Sequence, residues 1–195
     1  MFKEQVSKFA LNAPYQRKGS GEKSMIEMAK SYDLSWSKHK KIAKHCEDVG
    51  IIYMSSCFDK SAVDFLLDQL NGDCIKIGSG ELTNNPLLRY IAKKDKPIIL
   101  STGMSTLEDV KGAVHEIKSN GSSPIILLHC VSNYPTPEEE VNLRAMITLK
   151  EEFSYKGEKN NDLSSYSMIF KKIDGTWKIS WMQRSSGTTD LATWN

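Results

Sequence analysis

Four short apolar runs recur along this chain at nearly equal steps: GIIYMSS (50–56), CIKIGSG (74–80), KPIILSTG (96–103) and SPIILLHC (123–130). With Ile52, Ile75, Ile98 and Ile126 as anchors, the steps are 23, 23 and 28 residues. Between the runs lie the amphipathic stretches SAVDFLLDQL, NPLLRYIAKK and TLEDVKGAVHEIKS. In the last, Leu107, Val110, Val114 and Ile117 recur at helical spacing with charges between them. Thr106 followed by Glu108 and Asp109 marks a helix start, because early carboxylates suit the positive end of the helix dipole. Strands apolar throughout, alternating with helices, are parallel strands covered on both faces. A doubly wound sheet and a (β/α) barrel both fit. The regular step and the polar residues after each run favour the barrel.

The fold expected is therefore α/β: a partial (β/α) TIM barrel of about four parallel strands, followed by a C-terminal antiparallel hairpin. Upstream of the first run, SMIEMAKSYDLSWSKHKKIAKHCEDVG reads as helix, loop and helix. After the fourth, VNLRAMITLKEEF reads as the next helix. The pattern then breaks. SYKGEKNNDLSS has no periodicity, and YSMIFKKIDGTWKISWMQ alternates instead, with Tyr166, Met168 and Phe170 on one strand and Trp177, Ile179 and Trp181 on the next. Asp174-Gly175 supplies the turn. The expected division is 1–153 partial barrel, 154–165 linker and 166–195 hairpin tail.

Composition removes several function classes. The formal net charge is +2, with lysines scattered among acids, which predicts no nucleic-acid partner. No run approaches the roughly 18 apolar residues of a membrane span. The opening MFKEQVSKFA has no apolar core of a signal peptide, so a cytoplasmic location is expected. Cys46, Cys57, Cys74 and Cys130 lie 11, 17 and 56 residues apart, neither zinc-ligand nor CxxC spacing, and read as reduced thiols.

In parallel α/β folds ligands gather at the carboxyl ends of the strands. The first run ends on Ser55 and Ser56. The second carries Lys76 and ends on Ser79 and Glu81. The third ends on Ser101, Thr102 and Gly103, and the fourth offers His129, Ser132, Asn133 and Tyr134. Hydroxyls, glycine-rich backbone amides and one lysine make a rim suited to an anion. Each serine or glycine taken alone reads first as a turn former. Lys76 differs, since an ammonium between isoleucines needs a polar cavity or a partner. Glu81 reads either as a helix-start residue or as a general base that also binds a substrate hydroxyl. His129 reads as a core histidine or a metal ligand, and His39 and His45 as surface residues of a lysine-rich helix.

APYQ, FDKSAVDFLL, KIGSGELTNNPLL, KPIILSTGMSTLEDV and LLHCVSNYPTPEEEVNLRAM, taken together and in this order, resemble the sialic acid synthase family. The resemblance runs from about residue 1 to 153 and implies strands three to six of a TIM barrel. It implies condensation of phosphoenolpyruvate with an N-acetylhexosamine aldehyde such as N-acetylmannosamine, with release of phosphate. Lys76, Ser79, Ser101, Ser56 and Ser132 match positions at phosphoenolpyruvate. Glu81 and Tyr134 match positions at the sugar, and Glu81 and Lys76 are the candidate catalytic residues. Cys57 departs from the pattern, which usually has proline there. The family uses manganese or magnesium, held by histidines on later strands that no residue of this chain matches, so no metal ligand is assigned. The expectation is a synthase-like but catalytically impaired chain. The alternatives are a non-catalytic half-barrel acting as an anion-binding or scaffold remnant, or two unrelated pieces joined near residue 154. An open half-barrel has unpaired edges, which predicts a homo-oligomer. The tail faintly resembles the closing hairpin of nuclear-transport-factor-2-like domains.

Overall fold

The computed structural model describes residues 24–153, residues 10, 12, 13, 16 and 17 ahead of them, and the backbone of 166–173 and 176–184. Two helices come first, α1 (Met25–Tyr32) and α2 (Trp36–Asp48), as the sequence predicts. Ser24 starts α1: its Oγ accepts the Glu27 N–H while the Glu27 carboxylate accepts the Ser24 N–H. That reciprocal pair satisfies two amides that a helix N-terminus leaves open.

Helix α3 (Lys60–Asp64) is capped by Asp59 and widens into a π-helical turn over Phe65–Gln69. The parallel sheet follows: β1 (Ile75–Ile77), α4 (Asn85–Ala92), β2 (Ile98–Ser101), α5 (Leu107–Lys118), β3 (Ile125–Leu128) and α6 (Arg144–Phe153). Strand order is β1-β2-β3, in a register that sets Ile75 beside Ile98 and Ile98 beside Ile125. Pro86 in the first turn of α4 loses only an amide that has no helical partner anyway, and Asn84 caps the turn by accepting the Leu87 N–H. Thr106 starts α5 in a capping box with Asp109, whose carboxyl its hydrogen bonds hold below the usual carboxylate range.

Alternation along the strands divides the sheet into two unlike faces. Ile75, Ile77, Ile98, Leu100 and Ile125 point into a core shared with Val63 and Leu66, Leu88 and Ile91, and Val110 and Ile117 from the helices. Each such side chain contributes about 1.5–3 kcal/mol on burial. Lys76, Ile99 and Ile126, which lie side by side across the strands, are half-buried on the opposite face. Outside the sheet, Lys94 bridges Asp64 and Asp68 at 2.7 Å each, and the Tyr90 hydroxyl donates to Asp64, fastening α4 to the segment before it.

Two expectations need correction. The run 50–56 is not a strand: Gly50 belongs to a turn, only Ser56 makes a parallel bridge, to Lys76, and the Cys57 amide donates to the Lys76 carbonyl. Ile51 and Ile52 stay 61% and 67% exposed. Among the described residues no strand lies on the far side of this run, so its apolar pattern meets neither a ladder nor a cover. The parallel sheet accordingly has three strands rather than four.

In the tail, β4 (Tyr166–Ile173) and β5 (Thr176–Arg184) pair antiparallel as expected, with the Asp174-Gly175 turn outside the described residues. A one-residue register shift between Ile169 and Phe170 sets Phe170 opposite Ile179 but Ile169 opposite Trp181. The shift marks a bulge, an extra residue in β5 that breaks the strict two-residue register the alternation had suggested. All four cysteines are unpaired. None of the described helices is long and apolar enough to cross a membrane.

Candidate functional site

Lys76 is the central residue of β1, and its carbonyl and its bridge to Ser56 place those two residues side by side. Immediately after β1 the chain tightens into a 3-10 turn over Ser79–Glu81, so the strand that carries the lysine also delivers the next two candidates. Glu81 is oriented by Asn84, whose Nδ2 donates to Oε2 at 2.7 Å. Asn84 is held in turn as the cap of α4. A carboxylate positioned this way keeps an oxygen for a second donor.

Ser79 and Ser132 converge on Gly103. A Cβ at Gly103 would stand 2.5 Å from the Ser79 Oγ, 2.8 Å from its Cβ and 3.1 Å from the Ser132 Oγ. Only glycine allows this approach of the loops after β1, β2 and β3. The end of β2 is fixed beside them, because the Thr102 amide and hydroxyl both donate to the Leu128 carbonyl. Just before it, the buried Ser101 Oγ has no hydrogen-bond partner among the described residues. A buried hydroxyl in that condition is costly unless a ligand or water engages it.

The sequence candidates thus fall into a joined set and an outlying one. Ser79 and Ser132 meet at Gly103, Ser101 ends β2 two residues before that glycine, and Ser56 and Lys76 are bridged to each other at β1. Tyr134 sits in the loop after β3, ahead of a cis bond to Pro135, and is 66% exposed. His129 settles as a structural residue: its Nε2–H donates to the Val141 carbonyl at 2.8 Å, which fixes that nitrogen as a donor. His39 is not a plain surface residue, since it bonds to the Tyr53 hydroxyl and meets the Phe65 ring edge-on. His39, Tyr53 and Phe65 line an aromatic cavity of about 410 Å3, reaching Ser56, that the sequence did not announce. Asn84 was also missed as a positioning residue, although its cap position two residues before Pro86 is a readable signal. Beside Ser56, burial pushes the Cys57 thiol up to about 12, which makes it an unreactive packing group.

For the metal, the fit is poor. Among the described residues no three His, Cys, Asp or Glu side chains gather as a ligand set, and no chemical step is routed through a metal below.

Parallel βα units whose loops meet at Gly103 define an α/β protein of the barrel type. The family model described as "NeuB family" matches residues 2–157, and the chain belongs to this family of sialic acid and nonulosonate synthases. It is 42% identical, over 76% of its length, to N,N'-diacetyllegionaminic acid synthase of Campylobacter jejuni, of which it covers 45%. It is 35% identical, over 70% of its length, to the human N-acetylneuraminate-9-phosphate synthase, covering 38% of that protein. The chain thus spans less than half the length of these relatives. Its fold matches the N-acetylneuraminic acid synthetase of Leptospira borgpetersenii, solved with citrate, at a TM-score of 0.62 and 28% identity, covering 72% of this chain and 49% of that one. Residues 130–195 match a model described as "Protein of unknown function (DUF3804)". The likeness of the tail to nuclear-transport-factor-2-like domains finds no support.

Proposed function

We propose that this chain carries the phosphoenolpyruvate-binding part of a nonulosonic acid synthase site. The convergence of Ser79 and Ser132 on Gly103, next to the unpartnered Ser101 hydroxyl, is the observation that carries this reading. Lys76 supplies the countercharge, with Ser56 beside it, and the serines donate to phosphate or carboxylate oxygens. Glu81, held by Asn84, and Tyr134 take the hydroxyls of an N-acetylated hexosamine. The reaction joins phosphoenolpyruvate to the sugar aldehyde, consumes one water and releases inorganic phosphate. In the family manganese or magnesium polarises the aldehyde; here the chain's own groups bind and orient the two substrates. We place the work in the cytoplasm and the boundary between barrel part and tail near residue 154.

The test separates binding from turnover. Calorimetric titration of the 195-residue chain with phosphoenolpyruvate is expected to give saturable binding. Phosphate release with N-acetylmannosamine and manganese is expected to stay far below synthase rates, since a metal-activated carbonyl is worth several kcal/mol of barrier. Absence of phosphoenolpyruvate binding would leave the scaffold reading, which the exposed Ile51 and Ile52 favour.

Among the described residues β3 has no strand on its far side, which points to self-association, because unpaired strand edges recruit other chains. Light scattering is expected to report a homo-oligomer. A monodisperse monomer at micromolar concentration would contradict that.

A further inference from the structure

A second cavity, of about 320 Å3, opens between the ends of β2 and β3 and the first turns of α5 and α6. Thr102 and Gly103 form one wall, so it adjoins the serine cluster directly. His129, Asn142 and Thr106 contribute polar groups, and Arg144 stands at its rim. No motif match assigns this space a role.

The charges around it are distributed unevenly. No acid of α5 lines the cavity, and the Asp109 carboxylate is occupied by the Thr106 amide and hydroxyl at its own helix end. Lys111 of α5 is bound to Glu108 and Glu152. His129 is committed to Val141. Arg144 is the cation left: among the described residues its guanidinium makes no ion pair, and only its carbonyl is engaged, by Thr148. A guanidinium offers five donors in a planar fork, which matches a phosphoryl group better than any other side chain does. Phosphoenolpyruvate carries more negative charge than Lys76 alone can balance.

We propose that this cavity is a phosphoryl-binding subsite, with Arg144 as its charged ligand and Gly103 as the passage that joins it to the serine cluster. The inference rests on the function proposed above. Two sources could deliver the phosphoryl group, phosphoenolpyruvate itself or a phosphorylated amino sugar, and the recognition chemistry is the same for both.

The test uses the full chain and four ligands: inorganic phosphate, phosphoenolpyruvate, N-acetylmannosamine and its 6-phosphate. Arg144→Gln is expected to weaken at least one of the phosphorylated ligands by about tenfold to a hundredfold, the effect of losing one charge-assisted hydrogen-bonded contact. Unphosphorylated N-acetylmannosamine is expected to bind unchanged. Arg144→Lys is expected to recover part of the loss, which a purely structural role would not produce. The ligand that weakens identifies the source. Circular dichroism of each variant checks that it folds. Lys76→Gln separates the two layers. If it abolishes phosphoenolpyruvate binding while Arg144→Gln leaves every phosphorylated ligand unaffected, the subsite is refuted and the main site stands. If neither variant changes any affinity, both readings fail.

Discussion

Replacing Leu88 with alanine is expected to remove about 2–5 kcal/mol of unfolding free energy, the range for truncating a buried leucine. Leu88 is fully buried on α4, beneath the helix-covered face of the sheet, together with Ile91 and the strand residues Ile98 and Leu100. It belongs to one buried cluster with isoleucines and leucines of three parallel strands whose register is fixed, so the void has few means to collapse. Natural domains hold only about 5–15 kcal/mol in total, which makes this single change severe. Each kcal/mol lowers the melting temperature of a chain this size by about 2–4 °C. Arg89 is the control, one residue along the same helix and pointing outwards to Glu116. Arg89→Ala is expected to cost about 1 kcal/mol, because the Arg89 side chain is 54% exposed and Glu116, only 18% exposed, keeps the Asn120 amide as a donor. Thermal denaturation of the two variants side by side decides it. Equal losses would mean that α4 does not cover the sheet as described.

The contrast between Leu88 and Arg89 was legible in NPLLRYIAKK before any coordinates, because helical period and burial are the same fact seen twice. Strands β1 to β3 were legible for a similar reason: a run apolar throughout, with a helix on either side in sequence, has one economical fate. The run 50–56 has the same composition and a different outcome. Pairing is a property of two strands, and the sequence of one says nothing of whether a neighbour stands beside it. The bulge in β5 is hidden in the same way, since the slip between Ile169 and Phe170 is set by the fit of two strands. The placing of Lys76 within a strand, of Ser79 and Glu81 just after it and of Ser101 at the end of the next could be read from the sequence. The meeting of Ser79 with Ser132 at Gly103 could not, because 53 residues separate the two serines and only the sheet order brings them together. Arg144 and the aromatic cavity at His39 were illegible for the same reason. Each depends on how a helix end faces a loop.

Gly103→Ala is expected to weaken phosphoenolpyruvate binding by at least about tenfold, the worth of one hydrogen bond to a charged ligand. Alanine at this position would by itself stiffen the unfolded chain and add about 0.4–1 kcal/mol of stability wherever space allowed it. Here it does not. The new methyl would meet the Ser79 Oγ at 2.5 Å and its Cβ at 2.8 Å. A rotamer change could move the hydroxyl, but the Cβ is fixed to the turn that follows β1, so the turn itself must shift. Glu81 rides on the same turn, and displacement of Ser79 therefore disturbs the sugar side of the proposed site as well. Ser79→Gly in the Gly103→Ala background removes both contacts. The double variant is expected to regain stability in thermal melts while binding stays weak, because the hydroxyl is then gone altogether. That split between recovered folding and unrecovered affinity assigns Ser79 to the ligand rather than to packing. If Gly103→Ala bound phosphoenolpyruvate as tightly as the parent chain, Ser79 would have no place in the site.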